Sequence, residues 1–433
     1  MPASGSRNGN SRNHPPLEQR DLDILVTDEA RQLVERYLES DPERLAFALR
    51  NPAVTHQIRM LQKCRNKLPA YYAARCIVPQ VAYEQSSGEA AAEMKAETLR
   101  AFLLPDERRL AVDLTCGLGV DARALGGVFE RVIAVESDPL RAGIARWNFG
   151  LLGVGNVEVR NCTAEAFLEQ WTADAHAGQA IDLVYIDPSR KSGDGRRVYS
   201  LEESSPNVLE LLPVLRQVAR RIVLKLSPLF DVDEVNRLFG PEAGVEVVSV
   251  DGECKEVLVW LGFSDEAERT QVYRRVTAIR HGGVERFDFA REQATADSVA
   301  STGTLPPGEE RFLSVPDVGF YKSRTVAAYA AQYLGDVPGG WRVEGDCLFT
   351  AEPPEHFAGK VYRITFRHPY RPKEIARLLR MRSIRRVNIH RRGFSASAEE
   401  VARALGVRLG GNTDLFCLTI QGEPTVFFVG RVG

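Results

Sequence analysis

Apolar residues recur at helical spacing through the first part of the chain: Leu33, Tyr37 and Leu38, then Leu45, Ala48 and Leu49, then Ile58 and Leu61. A stripe of that period marks helices that bury one face, so a helical region is expected over 17–105. A polar break follows at Gln85-Ser86-Ser87-Gly88. Ser86 and Glu89 have the spacing of a capping box, which predicts a helix opening there and running to about Leu104. From Leu110 the pattern changes to short apolar strands alternating with helical stretches. The strands are expected at 110–115, 131–137, 157–162, 181–187 and 221–227, followed by 245–250 and 256–263. Only a short Asp-Gly-containing connection separates the last two, so they should pair as an antiparallel hairpin. Five β-α units closed by a hairpin predict an α/β, Rossmann-like doubly wound sheet of seven strands over 106–264. An NAD-type Rossmann domain does not normally end in such a hairpin.

Beyond residue 264 the periodicity weakens. Residues 265–360 read as a linker and small α+β region, with 291–310 as a long loop and Tyr321–Leu334 as a helix. A last segment, 361–433, shows a strand at 361–366, a helix at 372–381, a strand at 386–390, a helix at 398–405 and a hairpin over 416–430.

Residues 1–16 are polar and rich in Pro, Gly, Ser and Asn, which predicts a disordered tail and not a signal peptide. No apolar run is long enough to span a bilayer. The seven cysteines are scattered and never spaced as C-x-x-C. Neither a disulfide framework nor a zinc knuckle is indicated, and a reducing cytoplasm fits. The seven histidines show no ligand spacing, so no catalytic metal is expected.

The net charge of −2 conceals an asymmetry. Residues 361–433 hold 14 Lys/Arg against 5 Asp/Glu, leaving 42 against 53 for everything before. A basic segment on an acidic remainder is the charge pattern of a chain that handles a polyanion.

Candidate chemistry begins after the first strand. Gly117 and Gly119 stand where the backbone must turn sharply and approach a ligand, and with Ala122 they satisfy the dinucleotide pattern G-x-G-x-x-G/A. The acids favour a different ligand. Asp113 and Asp121 would put negative charge where a pyrophosphate must sit, whereas S-adenosylmethionine has no phosphate and carries an ammonium and a sulfonium. Glu136 ends the second strand 23 residues after Asp113, placed to accept hydrogen bonds from both ribose hydroxyls. Thr115 and Ser137 adjoin these positions, and residues 161–165, with Ala164, should border the adenine.

These residues carry a resemblance. DLTCGLGVD at 113–121, Glu136, YIDPSRK at 185–191 and LKLSP at 224–228 resemble the bacterial class I methyltransferases with a C-terminal THUMP-like domain. The resemblance implies S-adenosylmethionine as cofactor and suggests RNA as substrate. It further implies that EQSSGE at 84–89, with Gln85, Ser86 and Ser87, covers the cofactor. Asp187 and Pro188 end the fourth strand, where related amino-methyltransferases use an Asp/Asn-Pro-Pro-aromatic motif to hold an amine. Here Ser189 and Arg190 replace the aromatic that would stack on a base. Arg190 could stack its guanidinium or clamp a phosphate. Lys191 opens a basic, glycine-containing loop that could close over an anionic substrate, and Lys225 is a substrate contact or a structural ion pair. No cysteine lies near Asp187 or Lys225, so the activation that C5 methylation of a pyrimidine requires is missing, and direct attack by a nitrogen, with an oxygen as the lesser alternative, is expected.

In the basic segment Lys373, Arg377 and Arg380 fall on one helical face opposite Ile375, Leu378 and Leu379. Arg382, Arg385, Arg386, Arg391 and Arg392 follow, with Tyr370 and Phe394 as possible stacking groups for RNA. The leading expectation is methylation of a base nitrogen in tRNA or rRNA. Its alternatives are a small-molecule or protein methyltransferase, and a noncatalytic RNA-binding protein that kept the fold.

Overall fold

The computed structural model describes residues 17–41, 45, 49, 51–173, 180–190, 201–263, 273–280, 282–291, 305–306, 308–334 and 337–432. The chain divides into two compact units, Met1–Val223 and Leu224–Gly433.

In the first unit, helices Gln19–Leu25, Asp28–Tyr37 and Pro52–Lys67 precede the sheet. Asn51 accepts a hydrogen bond from Val54 N–H and Pro52 occupies the first turn, so the start of the third helix is set locally. Its buried face, with Val54, Ile58, Leu61 and Cys64, shares one core with Leu118, Val120, Ala124 and Ile144. Asn148 pins the same region by exchanging two hydrogen bonds with the Ile77 backbone, at 2.8 and 2.9 Å. The expected capping box is replaced by another arrangement. Ser86 ends the helix Gln80–Gln85, and Gly88 precedes the helix Glu89–Phe102. The Glu89 carboxylate instead accepts from Ala70 N at 3.0 Å and Tyr71 N at 3.3 Å, satisfying the start of a different helix.

Strands β1 (Leu110–Asp113), β2 (Arg131–Val135), β3 (Val157–Arg160) and β4 (Leu183–Ile186) are parallel, in the order β4-β1-β2-β3. β1 and β4 are buried throughout, the pattern of strands covered on both faces. The register sets Asp113 beside Ala134 and Tyr185. Short strands β5 (Ser189–Arg190) and β6 (Ser204–Ser205) form an antiparallel pair directly after β4. Arg221, leading into β7 (Ile222–Leu226), accepts from Val184 N at 2.9 Å.

In the second unit β8 (Gly244–Val250) and β9 (Glu253–Leu261) form the expected antiparallel hairpin. Its turn residues Asp251 and Gly252 both have positive φ, as a two-residue turn matched to strand twist demands. The edge is extended in the region read as a linker. β10 (Arg274–Arg280) pairs parallel with β8, and β11 (Gly283–Phe289) pairs antiparallel with β10. The seven-stranded expectation missed these two strands because buried arginines mask the apolar alternation of β10: Arg274 is held by the Val232 carbonyl and Arg275 by Asp288.

A separate seven-stranded sheet has the order β13-β14-β12-β15-β18-β17-β16. Its strands are β12 (Phe312–Pro316), β13 (Trp341–Glu344), β14 (Cys347–Thr350), β15 (Gly359–Pro369), β16 (Arg386–Arg392), β17 (Arg408–Ile420) and β18 (Glu423–Arg431). Residues on both sides of position 360 therefore build one sheet, with β12 pairing along β15. Helices Pro372–Met381 and Ala398–Leu405 contribute Ile375, Leu379, Val401 and Leu405 to a core with Val387, Leu415 and Phe428. The single helix expected over Tyr321–Leu334 is two, Val318–Lys322 and Val326–Tyr333, broken where Arg324 takes positive φ. No described helix is long and apolar enough to cross a membrane.

Candidate active site

The loop after β1 turns on two glycines of positive φ, Gly117 at +54° and Gly119 at +85°. At Gly119 space is also closed, because a Cβ would lie 2.6 Å from the Phe149 ring. The obstacle is thus a neighbouring side chain of the same unit. Glu136, buried at the end of β2, accepts from Gly117 N and Asp138 N, both at 2.9 Å, and pairs with Arg141 at 3.1 Å. The carboxylate therefore shapes the glycine loop as well as facing it. Asn161 donates to the Glu136 and Ser137 carbonyls at 2.8 and 3.2 Å, tying the segment after β3 to the end of β2. Ser137 is exposed, and Ala164 is buried at the start of helix Ala164–Ala173.

Asp113 is buried at the end of β1 and accepts from Thr115 N at 2.9 Å and Thr115 Oγ1 at 3.3 Å. The same Oγ1 accepts from Asp187 N at 2.7 Å. Burial, with the Asp121 and Asp187 carboxylates nearby, pushes Asp113 from the ordinary 3.8 up to about 8. Asp187 and Pro188 are half-buried. Ser189 Oγ donates to the Ser205 carbonyl at 3.3 Å, so the residue after the proline is held by the β5–β6 pair. Lys191 and its loop lie outside the described residues. Lys225 is buried within β7.

Asp121 opens the helix Val120–Gly126. Its carboxylate pairs with buried Lys95 at 2.8 Å and accepts from Ser87 Oγ at 2.7 Å. Lys95 donates further to Ser87 Oγ at 3.2 Å and Tyr185 Oη at 3.4 Å. Of the three residues expected to cover the cofactor, Ser87 reaches the glycine-loop helix, Ser86 donates to the Tyr83 carbonyl, and Gln85 is exposed. Sequence reasoning missed Lys95 and Tyr185. The signal was a lysine inside the alanine-rich helix Glu89–Phe102, in step with a tyrosine two residues before Asp187.

On the C-terminal sheet Lys373, Arg377 and Arg380 are exposed on one helix face while Ile375 and Leu379 are buried on the other, as the spacing predicts. Arg391 differs: it donates to the Ala396 carbonyl at 2.8 Å and the Phe394 carbonyl at 3.4 Å, bracing the turn before the next helix. Arg392 lies over the Tyr321 ring. Phe394 is not a stacking surface, because it is buried in the helix-side core and meets Tyr370 edge to face.

Residues 359–431 match the family model described as THUMP domain-like. An uncharacterized S-adenosylmethionine-dependent methyltransferase of Mycobacterium tuberculosis is 28% identical over 294 residues, covering 67% of this chain and 72% of the relative. The chain is thus similar to S-adenosylmethionine-dependent methyltransferases and carries a THUMP-like segment at its C-terminal end. The crystal structure of a candidate methyltransferase from Porphyromonas gingivalis shares the fold, with a TM-score of 0.75 and 22% identity over 96% of this chain and all of that one. A tRNA/tmRNA (uracil-C(5))-methyltransferase of Neisseria meningitidis is 31% identical over 94 residues, 19% of this chain and 26% of that enzyme. The donor set suits the methyltransferase cofactor. Carboxylates at Asp113 and Glu136 flank the glycine turn, an environment that suits an ammonium and a sulfonium.

Proposed function

We propose that this methyltransferase modifies a nitrogen of an RNA base, with Asp187 holding the acceptor. The observation that supports this reading is the hydrogen-bonded line Asp187 N to Thr115 Oγ1 to Asp113, which ties the Asp187 strand end to the loop after β1. Bound S-adenosylmethionine supplies an electrophilic methyl on a sulfonium, which leaves as a neutral thioether. The work of the protein is positioning. Glu136 takes the ribose hydroxyls, Asp113 faces the cationic end, and segment 161–165 borders the adenine. Asp187 accepts a hydrogen bond from the acceptor N–H, directs the lone pair at the methyl carbon, and takes the proton as the N–C bond forms. The exposed cations of helix Pro372–Met381 hold the RNA backbone.

A second reading, methylation at uracil C5, draws on the Neisseria relative. It needs a thiolate next to the base. Cys116 is buried with its thiol pushed well up by burial, and the half-buried Cys162 is likewise raised; neither is on the Asp187 segment. The nitrogen reading is therefore preferred.

The test is mass spectrometry of tRNA and rRNA nucleosides from a deletion strain against wild type. Loss of one N-methylated nucleoside, restored by the wild-type gene and not by Asp187→Ala, is expected. Loss of 5-methyluridine would favour the second reading. An unchanged nucleoside profile, with methylation of a protein or small molecule by the purified enzyme, would overturn both.

A further inference from the structure

Lys95 is a buried cation at the back of an acidic loop. Its side chain is 5% exposed and its Nζ lies 2.8 Å from Asp121, 3.2 Å from Ser87 Oγ and 3.4 Å from Tyr185 Oη. It also stands over the Tyr185 ring, 5.6 Å from the centroid. Each partner leads to a different part of the site. Asp121 is in the first turn of the helix that follows Gly119. Ser87 belongs to the segment between the helices Gln80–Gln85 and Glu89–Phe102. Tyr185 is on β4, where its carbonyl accepts from Leu114 N at 3.0 Å two residues before Asp187. One ammonium thus joins the covering segment, the cofactor-loop helix and the acceptor strand.

The charge it carries matters more than the tie. Asp113, Asp121 and Asp187 lie close enough that the last two both raise the pKa of the first. A carboxylate left without its counter-ion in so dry a place would strengthen the field felt by any bound cation. We propose that Lys95 is a positioning residue that sets the charge of the cofactor site: by neutralising Asp121 and fastening Ser87 to it, it limits the preference for the sulfonium cofactor over its neutral thioether product. This rests on the reading of the loop as the adenosylmethionine site. Without Lys95 the net charge of the site falls by one, and it discriminates more strongly between the two forms. Without Asp121 the net charge rises by one, and it discriminates less.

The experiment is calorimetric titration of the full-length protein with S-adenosylmethionine and S-adenosylhomocysteine, read as the ratio of the two dissociation constants. Lys95→Met is expected to shift that ratio toward the sulfonium form by roughly tenfold, the scale of one charge acting through a partly screened interior. Lys95→Arg should restore it, Asp121→Asn should move it the opposite way, and the Lys95→Met/Asp121→Asn pair should return it toward wild type. Should Lys95→Met not fold, Asp121→Asn, expected to move the ratio toward the thioether, and Lys95→Arg, expected to keep it at the wild-type value, still test the assignment. A purely structural lysine would weaken both ligands alike, and a wild-type ratio in folded Lys95→Met or in Asp121→Asn would overturn the assignment while leaving the cofactor reading intact. Failure of the wild type to bind either molecule would overturn the cofactor reading, and the assignment with it.

Discussion

The backbone N–H of Asp187 donates to Thr115 Oγ1 at 2.7 Å, and that hydroxyl in turn donates to Asp113. One side chain therefore connects the acid expected to hold the acceptor with the acid expected to face the cofactor. Thr115→Val keeps the shape and removes the hydroxyl, leaving a half-buried amide without its acceptor. A stability loss of about 1–2 kcal/mol is expected. The fall in kcat should be larger, on the order of tenfold or more, because the acceptor is misplaced while the cofactor contacts remain. Denaturant titration and single-turnover kinetics check this, and a kcat equal to wild type would remove the hydroxyl from the positioning scheme.

Asp113 gives a pH dependence whose sign is fixed by its burial. Its pKa is raised from the ordinary 3.8 to about 8, so in that window the folded chain holds a proton that the unfolded chain has lost. The stability this group supplies is complete below the lower value and is lost as the pH rises toward the upper one, at up to about 1.4 kcal/mol per pH unit. A cationic cofactor favours the ionised form, so its binding should release a proton and tighten as the pH rises toward 8. Calorimetry in buffers of different ionisation enthalpy measures that proton. Asp113→Asn should flatten both profiles, and proton release undiminished in that variant would place the titration elsewhere.

Gly119→Val must accommodate a left-handed backbone and a ring at 2.6 Å from the new Cβ. The conformational cost alone is about 1–3 kcal/mol. Displacing Phe149 also disturbs the helix Pro139–Leu151 that packs against β3. Loss of cofactor binding should therefore come with a lowered Tm, and a variant with wild-type Tm and affinity would contradict this account of the loop.

Asp187→Ala is expected to reduce transfer at least a hundredfold with cofactor affinity changed by less than about threefold, since the residue touches the acceptor in this scheme. Its main-chain amide still reaches Thr115, so the strand end is preserved. Turnover at the wild-type rate would take Asp187 out of the reaction.

The alternating α/β body, the hairpin after it and the helices and strands of the basic segment were legible because their apolar periodicity is unbroken. Where charge enters the interior, legibility failed. β10 hides behind Arg274 and Arg275, whose partners are distant in sequence. Lys95 was passed over for the same reason, because its worth comes from Asp121 and Tyr185, 26 and 90 residues away. Glu89 matched a local capping motif, yet it caps a helix 19 residues upstream, a choice made by packing and not by spacing. The glycine loop and Glu136 could be placed by position, but the bond from Gly117 N to Glu136 that joins them is visible only in three dimensions.

The basic helix offers the sharpest test of the RNA reading. Lys373, Arg377 and Arg380 are exposed, while the residues that hold the helix to the sheet, Ile375 and Leu379, are buried on the other side. Arg377→Glu/Arg380→Glu should therefore leave the fold and the cofactor affinity unchanged. If both arginines hold phosphates, each lost contact lowers the slope of log affinity against log salt by about 0.7–0.9, so the double variant should lose about 1.4–1.8 in slope and bind RNA far more weakly at low salt. Cutting the chain near Lys360 would be a poor substitute, because it would remove β15 from its pairing with β12 and expose the core beneath. Arg391→Ala provides the contrast. Its guanidinium is engaged with the Phe394 and Ala396 carbonyls, so its loss should lower Tm more than it changes the salt slope. Equal affinities and equal slopes for wild type and the double variant would mean that this face is only solvated, and the protein or small-molecule substrate would become the better reading.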